Sequence, residues 1–199
     1  MTATSHYQLN DRYQADEGTV FLTGIQALAR LPWEQLRADR RAGLDTAAFV
    51  SGYQGSPLGG YGQAVEAAAR IATDLPIVFR QGMNEEYGAT AVMGSQLASA
   101  QPDARHDGVV GIWYGKAPGV DRAADALRHA VYAGTSMYGG AIALVGDDPN
   151  AKSSTVPSSS AGLLYTCTCR CCIPVILPKR SISAGMPSLC HGPPAFGQQ

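Results

Sequence analysis

Between residues 45 and 148, short and almost wholly apolar runs alternate with longer, small-residue stretches. The runs 46–50, 77–80, 108–114 and 141–145 read as buried strands, because each is brief, rich in β-branched, aromatic or other apolar residues, and bounded by glycine or polar turns. The stretches 58–71, 84–100 and 120–132 read as helices, the first strongly alanine-rich and the second opened by Asn84, a good N-cap. The predicted order is therefore β-α-β-α-β-α-β. Strands with little polar alternation, spaced by helices, predict an α/β fold with a parallel sheet covered by helices on both faces. In such sheets ligands bind beyond the carboxyl ends of the strands. That rule gathers the Gly55 turn, the Asn84 helix start, the 114–119 loop and the 146–154 loop on one edge.

Composition adds limits to this picture. A chain of 199 residues with 45% hydrophobic and 16% charged residues suits one globular domain with a proper core. A net charge of −1 without a basic stripe argues against a nucleic-acid partner. Residues 1–18 are polar and lack the apolar core of a secretory signal, and no run approaches the length of a membrane span, so no membrane is expected and the expected location is cytoplasmic. The expected organisation is a polar segment over 1–18, the α/β domain over 19–160, and a distinct tail over 161–199. All five cysteines, at 167, 169, 171, 172 and 190, lie in that tail. Their spacing is not the paired C-x-x-C of a closed zinc site, so no metal site is assigned.

Several familiar motifs fail on the predicted ligand edge. Gly111-Ile112-Trp113-Tyr114-Gly115-Lys116 is one residue short of a phosphate loop, and Ala117 stands where a hydroxyl should ligate magnesium. Ser56 lies in Gly55-Ser56-Pro57-Leu58-Gly59, which is not the nucleophile elbow of a serine hydrolase. The dinucleotide fingerprint is absent after the first strand. What remains is the pair Glu85 and Glu86 at the start of a helix otherwise poor in charge. Acids in a first turn complement the helix dipole, so the pair reads either as helix stabilisation or as a chemical site. Ser56 and Pro57 read equally as an ordinary turn or as a small hydroxyl beside free backbone N–H groups, and Lys116 and Arg122 as solvated cations or as partners for an anion.

Four segments in order carry a more specific signal. They are Phe49-Val50-Ser51-Gly52-Tyr53-Gln54-Gly55-Ser56-Pro57-Leu58-Gly59-Gly60-Tyr61, Gly82-Met83-Asn84-Glu85-Glu86, Trp113-Tyr114-Gly115-Lys116-Ala117-Pro118-Gly119-Val120-Asp121-Arg122, and Gly146-Asp147-Asp148 with Lys152-Ser153-Ser154. Over residues 13–160 the chain resembles the amino-terminal region of the long, fused indolepyruvate ferredoxin oxidoreductases. The resemblance implies a thiamine-diphosphate-binding fold of the pyrimidine-binding type, incomplete at its carboxyl end. It implies that Glu85 bonds the aminopyrimidine ring of the cofactor, with Glu86 and Asn84 as cofactor-binding neighbours. It further implies that Ser56, Pro57, Lys116 and Arg122 line the substrate side.

The complete enzymes of this family convert a 2-oxoacid and coenzyme A to an acyl-CoA and pass electrons through iron-sulfur clusters to ferredoxin. The diphosphate-binding half, with its magnesium, and the cluster-binding cysteines have no counterpart here, so the resemblance implies a half-site that needs a missing region or a second chain. The other reading is an inactive truncated remnant or a small α/β binding module. After about residue 161 the family pattern stops, and reading compatible codons for 165–197 in a shifted frame restores two stretches similar to it. A frameshift near 161–165 is therefore expected, and the tail is expected to be disordered or loosely docked.

Overall fold

Alternate residues of the central strands face two different cores, and that alternation organises the molecule. The computed structural model describes residues 7–167. In chain order the elements are α1 (Asp11–Gln14), α2 (Gly24–Arg41), β1 (Thr46–Gly52), α3 (Tyr61–Ile71), β2 (Ile77–Gln81), α4 (Glu85–Ser99), β3 (Gly108–Lys116), α5 (Ala117–Ala133), β4 (Gly140–Gly146) and α6 (Ala161–Thr166). The four strands form one parallel sheet in the order β2-β1-β3-β4. The predicted α/β class and its β-α-β-α-β-α-β order are present.

On β1, Ala48 and Val50 join one core while Phe49 packs against the other; on β3, Ile112 and Tyr114 oppose Trp113 in the same way. This period of two is the pleat itself. The first core is built with α2 and α3 around Trp33, Leu36, Tyr61 and Val65, all fully buried. The second is built with α4 and α5 around Val92, Trp113, Val120 and Leu127.

Helix α2 lies outside the predicted pattern. Pro32 sits in its middle and reads as a breaker, yet the ring is buried and the helix continues past it. The local signal is a capping box, in which Thr23 Oγ1 accepts from the Gln26 N–H and the Gln26 side chain accepts from the Thr23 N–H. Ile25, Leu28, Ala29, Trp33 and Leu36 then share one face.

Two predicted boundaries are corrected. Helix α3 starts at Tyr61 rather than at 58, and residues 58–60 form a turn that buries Leu58. The expected 114–119 loop does not exist, because β3 runs through Lys116 and α5 starts at Ala117. Pro118 falls in the first helical turn, where a missing N–H leaves nothing unsatisfied. That direct passage from strand to helix brings Lys116, Gly119 and Arg122 to the carboxyl edge of the sheet together.

The polar amino-terminal segment is tied down by two buried arginines of α2. Arg30 donates to the carbonyl oxygens of Asp11, Arg12 and Ala15, and Arg37 to those of Tyr13, Gln14 and Ala15. Glu34 lies between them, 2.6 Å from Arg30 and 3.2 Å from Arg37. The clamp places Tyr13 in the first core, and Gln14 Nε2 reaches the Ile71 carbonyl at 3.0 Å. Among the described residues no helix is long and apolar enough to cross a membrane.

Candidate functional site

Strand order reverses direction between β1 and β3, since β2 lies on the far side of β1 and β4 on the far side of β3. Crevices at the carboxyl ends of such a strand pair are where ligands bind in open parallel sheets. Here those ends are Gly52 and the 114–116 segment, and α4 starts directly over them.

Three glycines allow that approach. A Cβ on Gly88 would lie 2.7 Å from the Gly52 Cα, and one on Gly82 would lie 2.6 Å from the Asn84 carbonyl oxygen and 3.2 Å from that of Gly52. The Gly82 N–H donates to the Gly52 carbonyl at 2.9 Å, so strand end and helix start are bonded backbone to backbone. Gly52 itself has φ +158°, and any side chain there would strike Tyr114. Asn84 caps α4 as expected, its Oδ1 accepting from the Tyr87 N–H at 2.9 Å.

Glu85 and Glu86 then separate sharply. Glu86 is exposed and solvated, whereas Glu85 is 9% exposed. The Glu85 side chain lies over the first turn of α5, where a Cβ on Gly119 would meet its Cγ at 2.6 Å and its Oε1 at 3.0 Å. Its other oxygen, Oε2, faces Arg122 Nε at 3.7 Å. From beneath, the buried Trp113 donates its indole N–H to the Glu85 carbonyl at 2.9 Å. The result is a carboxylate held over Gly119, with one largely exposed cation beside it.

A second group of expected residues gathers on the same edge. Lys116 packs along Gly55, where a Cβ would meet its Cδ at 2.9 Å, and its Nζ donates to the Ser153 carbonyl at 3.1 Å and approaches Ser154 Oγ at 3.4 Å. Pro57, joined to Ser56 by a cis peptide bond, packs against Gly146, where a Cβ would lie 2.6 Å from its Cδ. Asp148 orders the 148–154 loop by accepting from the N–H groups of Ser153 and Lys152, and the Ser153 backbone bond is the main cause that holds its carboxyl below the usual range. Lys116 thus ties this loop to the Ser56-Pro57 turn, while Arg122 goes to Glu85.

Sequence reasoning attached no role to Gly119, to Gly52, Gly82 and Gly88, or to the Trp113 indole N–H. Gly52, Gly82 and Gly119 stand inside the quoted motifs, but the close approach that gives them meaning is tertiary. Among the described residues no group of three His, Cys, Asp or Glu is placed to hold a metal ion. Two open cavities of about 270 and 260 Å³ lie elsewhere, near Gln14, Arg37 and Asp74 at the amino ends of β1 and β2. Cys167 is buried after α6, its Sγ 3.9 Å from the Ala124 carbonyl, while Cys169, Cys171, Cys172 and Cys190 lie outside the described residues, as does the tail from 168 onward.

The face beside Glu85 is apolar and uncovered. Met83 is 85% and Tyr87 64% exposed, Val78 on the edge strand β2 is exposed as well, and α4 presents no charge after Glu86. No family model, curated protein or solved structure matches the chain.

Proposed function

We propose that this chain is the pyrimidine-side half-site of a thiamine-diphosphate-dependent 2-oxoacid oxidoreductase, similar to the amino-terminal region of the indolepyruvate ferredoxin oxidoreductases. The observation that carries the reading is the nearly buried Glu85 carboxylate over Gly119 at the switch point of a parallel sheet. A carboxylate so placed accepts an N–H from a flat heteroaromatic amine, and a Cβ in place of the Gly119 hydrogen would fill the cradle. The residues present therefore fit the aminopyrimidine end of the cofactor. When bound, thiamine diphosphate supplies the nucleophilic carbon for a 2-oxo group and the electron sink for decarboxylation.

Each residue then has a physical task. Glu85 would hold the aminopyrimidine end, its carboxylate placed to accept a hydrogen bond and to take or return a proton, as general acid–base groups within hydrogen-bond reach do. Trp113 fixes the Glu85 backbone, and Asn84 fixes the helix start. Lys116, beside the Ser56-Pro57 turn, offers a cation to the substrate carboxylate. The uncovered face of Met83 and Tyr87 supports a half-site that a diphosphate-binding region or second chain, carrying magnesium, completes. In this reading the domain adopts the pyrimidine-binding form of the thiamine fold, works in the cytoplasm on an aryl 2-oxoacid, and belongs to an assembly that uses coenzyme A, iron-sulfur clusters and ferredoxin.

Calorimetric titration with thiamine diphosphate and magnesium tests the proposal. Saturable binding is expected, weakened about tenfold or more in Glu85→Ala, since a hydrogen bond to a charged group carries that much. Gly119→Ala is expected to weaken it similarly by displacing the carboxylate. Absence of binding by protein that circular dichroism shows to be folded would sink the reading and leave an inactive remnant or a binding module.

A further inference from the structure

Among the described residues Arg122 is the only cation within ion-pair reach of Glu85, and Glu85 is the only acid within reach of Arg122. The two ends of the pair differ greatly in freedom. The Glu85 side chain is 12% exposed and enclosed by Gly119, whereas the Arg122 side chain is 62% exposed. At 3.7 Å the contact is an ion pair without hydrogen-bond geometry. Pairs of this kind hold weakly, and the exposed partner is the one that can leave.

The acceptor geometry makes the consequence definite. One oxygen of Glu85, Oε1, lies against the backbone of Gly119, so Oε2 is the oxygen that faces Arg122 and the open edge. A ligand that donates an N–H to Oε2 from that edge competes with the guanidinium for the same atom. We infer that Arg122 is a displaceable latch on Glu85. It holds the carboxylate in place in the ligand-free chain and swings into solvent when an uncharged amino-heteroaromatic group takes its position. Arg122 thereby sets which ligands succeed, because a cationic ligand that leaves the latch closed meets like charge. This inference rests on Glu85 being the ligand acceptor, and it replaces a substrate contact for Arg122 by a gating one.

The decisive probe is a neutral aminopyrimidine, 4-amino-2-methylpyrimidine, followed by ligand-observed NMR, with thiamine diphosphate and magnesium titrated in parallel. Wild type, Arg122→Gln, Glu85→Ala and the double variant are compared. Arg122→Gln is expected to bind the aminopyrimidine roughly two- to fivefold more tightly, the range an exposed ion pair covers. The gain should vanish in the Glu85→Ala background, and Arg122→Lys should restore most of the wild-type affinity. Unchanged or weaker binding by Arg122→Gln, a gain that persists without Glu85, or binding by none of the four proteins overturns the latch. A Glu85-dependent gain for the aminopyrimidine, with no binding of thiamine diphosphate by any variant, would keep the latch and refute the thiamine reading.

Discussion

The two faces of the sheet are built to different ends. The α2–α3 face is sealed with large side chains, among them Trp33, Tyr61 and Leu36, all fully buried. It is locked further by the Trp33 indole N–H on the Ala72 carbonyl and by two buried arginines on the amino-terminal segment. The α4–α5 face buries Trp113 among Val92, Val120, Leu127 and three alanines, and its helix α4 approaches β1 through Gly88 against Gly52. Outside, α3 and α5 carry charge, as Glu66, Arg70, Asp121 and Arg128 show, while α4 carries none after Glu86. The contrast is one of packing: interlocked large side chains close one face, whereas glycine contacts and an enclosed carboxylate mark the other. Among the described residues the locked face buries no acid, and the face that holds Glu85 is left partly open at Val78, Met83 and Tyr87.

Substitutions of matched type on the two faces break this comparison most directly. Trp33→Ala is expected to cost about 3–5 kcal/mol by opening a cavity in the sealed core, whereas Tyr87→Ala on the open face should cost under about 0.5 kcal/mol, both read by urea unfolding. Equal losses would show that the open face is as stabilising as the sealed one. Next in size is Arg37→Met, expected to lose about 2–3 kcal/mol because the carbonyls of Tyr13, Gln14 and Ala15 lose a donor. Amide exchange should then rise over residues 8–16 before it rises elsewhere.

A smaller change on the open face sharpens the link between packing and site. Gly88→Ala is expected to cost about 1–3 kcal/mol, since the new Cβ presses on the Gly52 backbone and lifts the start of α4. Trp113 fluorescence should shift with it, because the indole is bonded to Glu85. An unchanged spectrum would mean that α4 accommodates the methyl without moving.

The smallest effect runs the other way, on the sealed face. Tyr61 buries a hydroxyl that has no hydrogen-bond partner among the described residues, so Tyr61→Phe should be neutral or stabilise by up to about 1 kcal/mol, measured by thermal unfolding. Burial first, and then the neighbouring Tyr114, raises the Tyr61 hydroxyl far above its ordinary value, and burial pushes that of Tyr114 up to about 12. Groups raised in this way contribute stability that is fully present below the unfolded value of about 10 and is lost as pH rises through the folded one. Alkaline unfolding is therefore expected to set in between pH 10 and about 12, and to move upward in Tyr61→Phe. Phenolate absorbance that appears for all tyrosines at once near pH 10 would contradict this.

The sequence alone carries the parallel α/β layering, the succession along the chain of four strands with three helices between them, and the edge that gathers the Ser56-Pro57 turn, the Glu85 helix start and Lys116. These follow from hydrophobic period, turn residues and the rule for strand ends, which are local properties. Helix α2 was hidden because Pro32 argues against a helix locally and only burial of its ring against the core overrides that. The start of α5 is obscured for a related reason, since Pro118 is compatible with a helix only in its first turn, and the sequence alone does not place that turn directly after β3. Two adjacent glutamates look alike in hydrophobic period and in their fit to the helix dipole, and only the family resemblance favours Glu85 over Glu86. Only the tertiary structure made one of them a buried acceptor and the other a solvated acid, because Gly119 and Arg122, more than thirty residues along the chain, close around the first and leave the second in water.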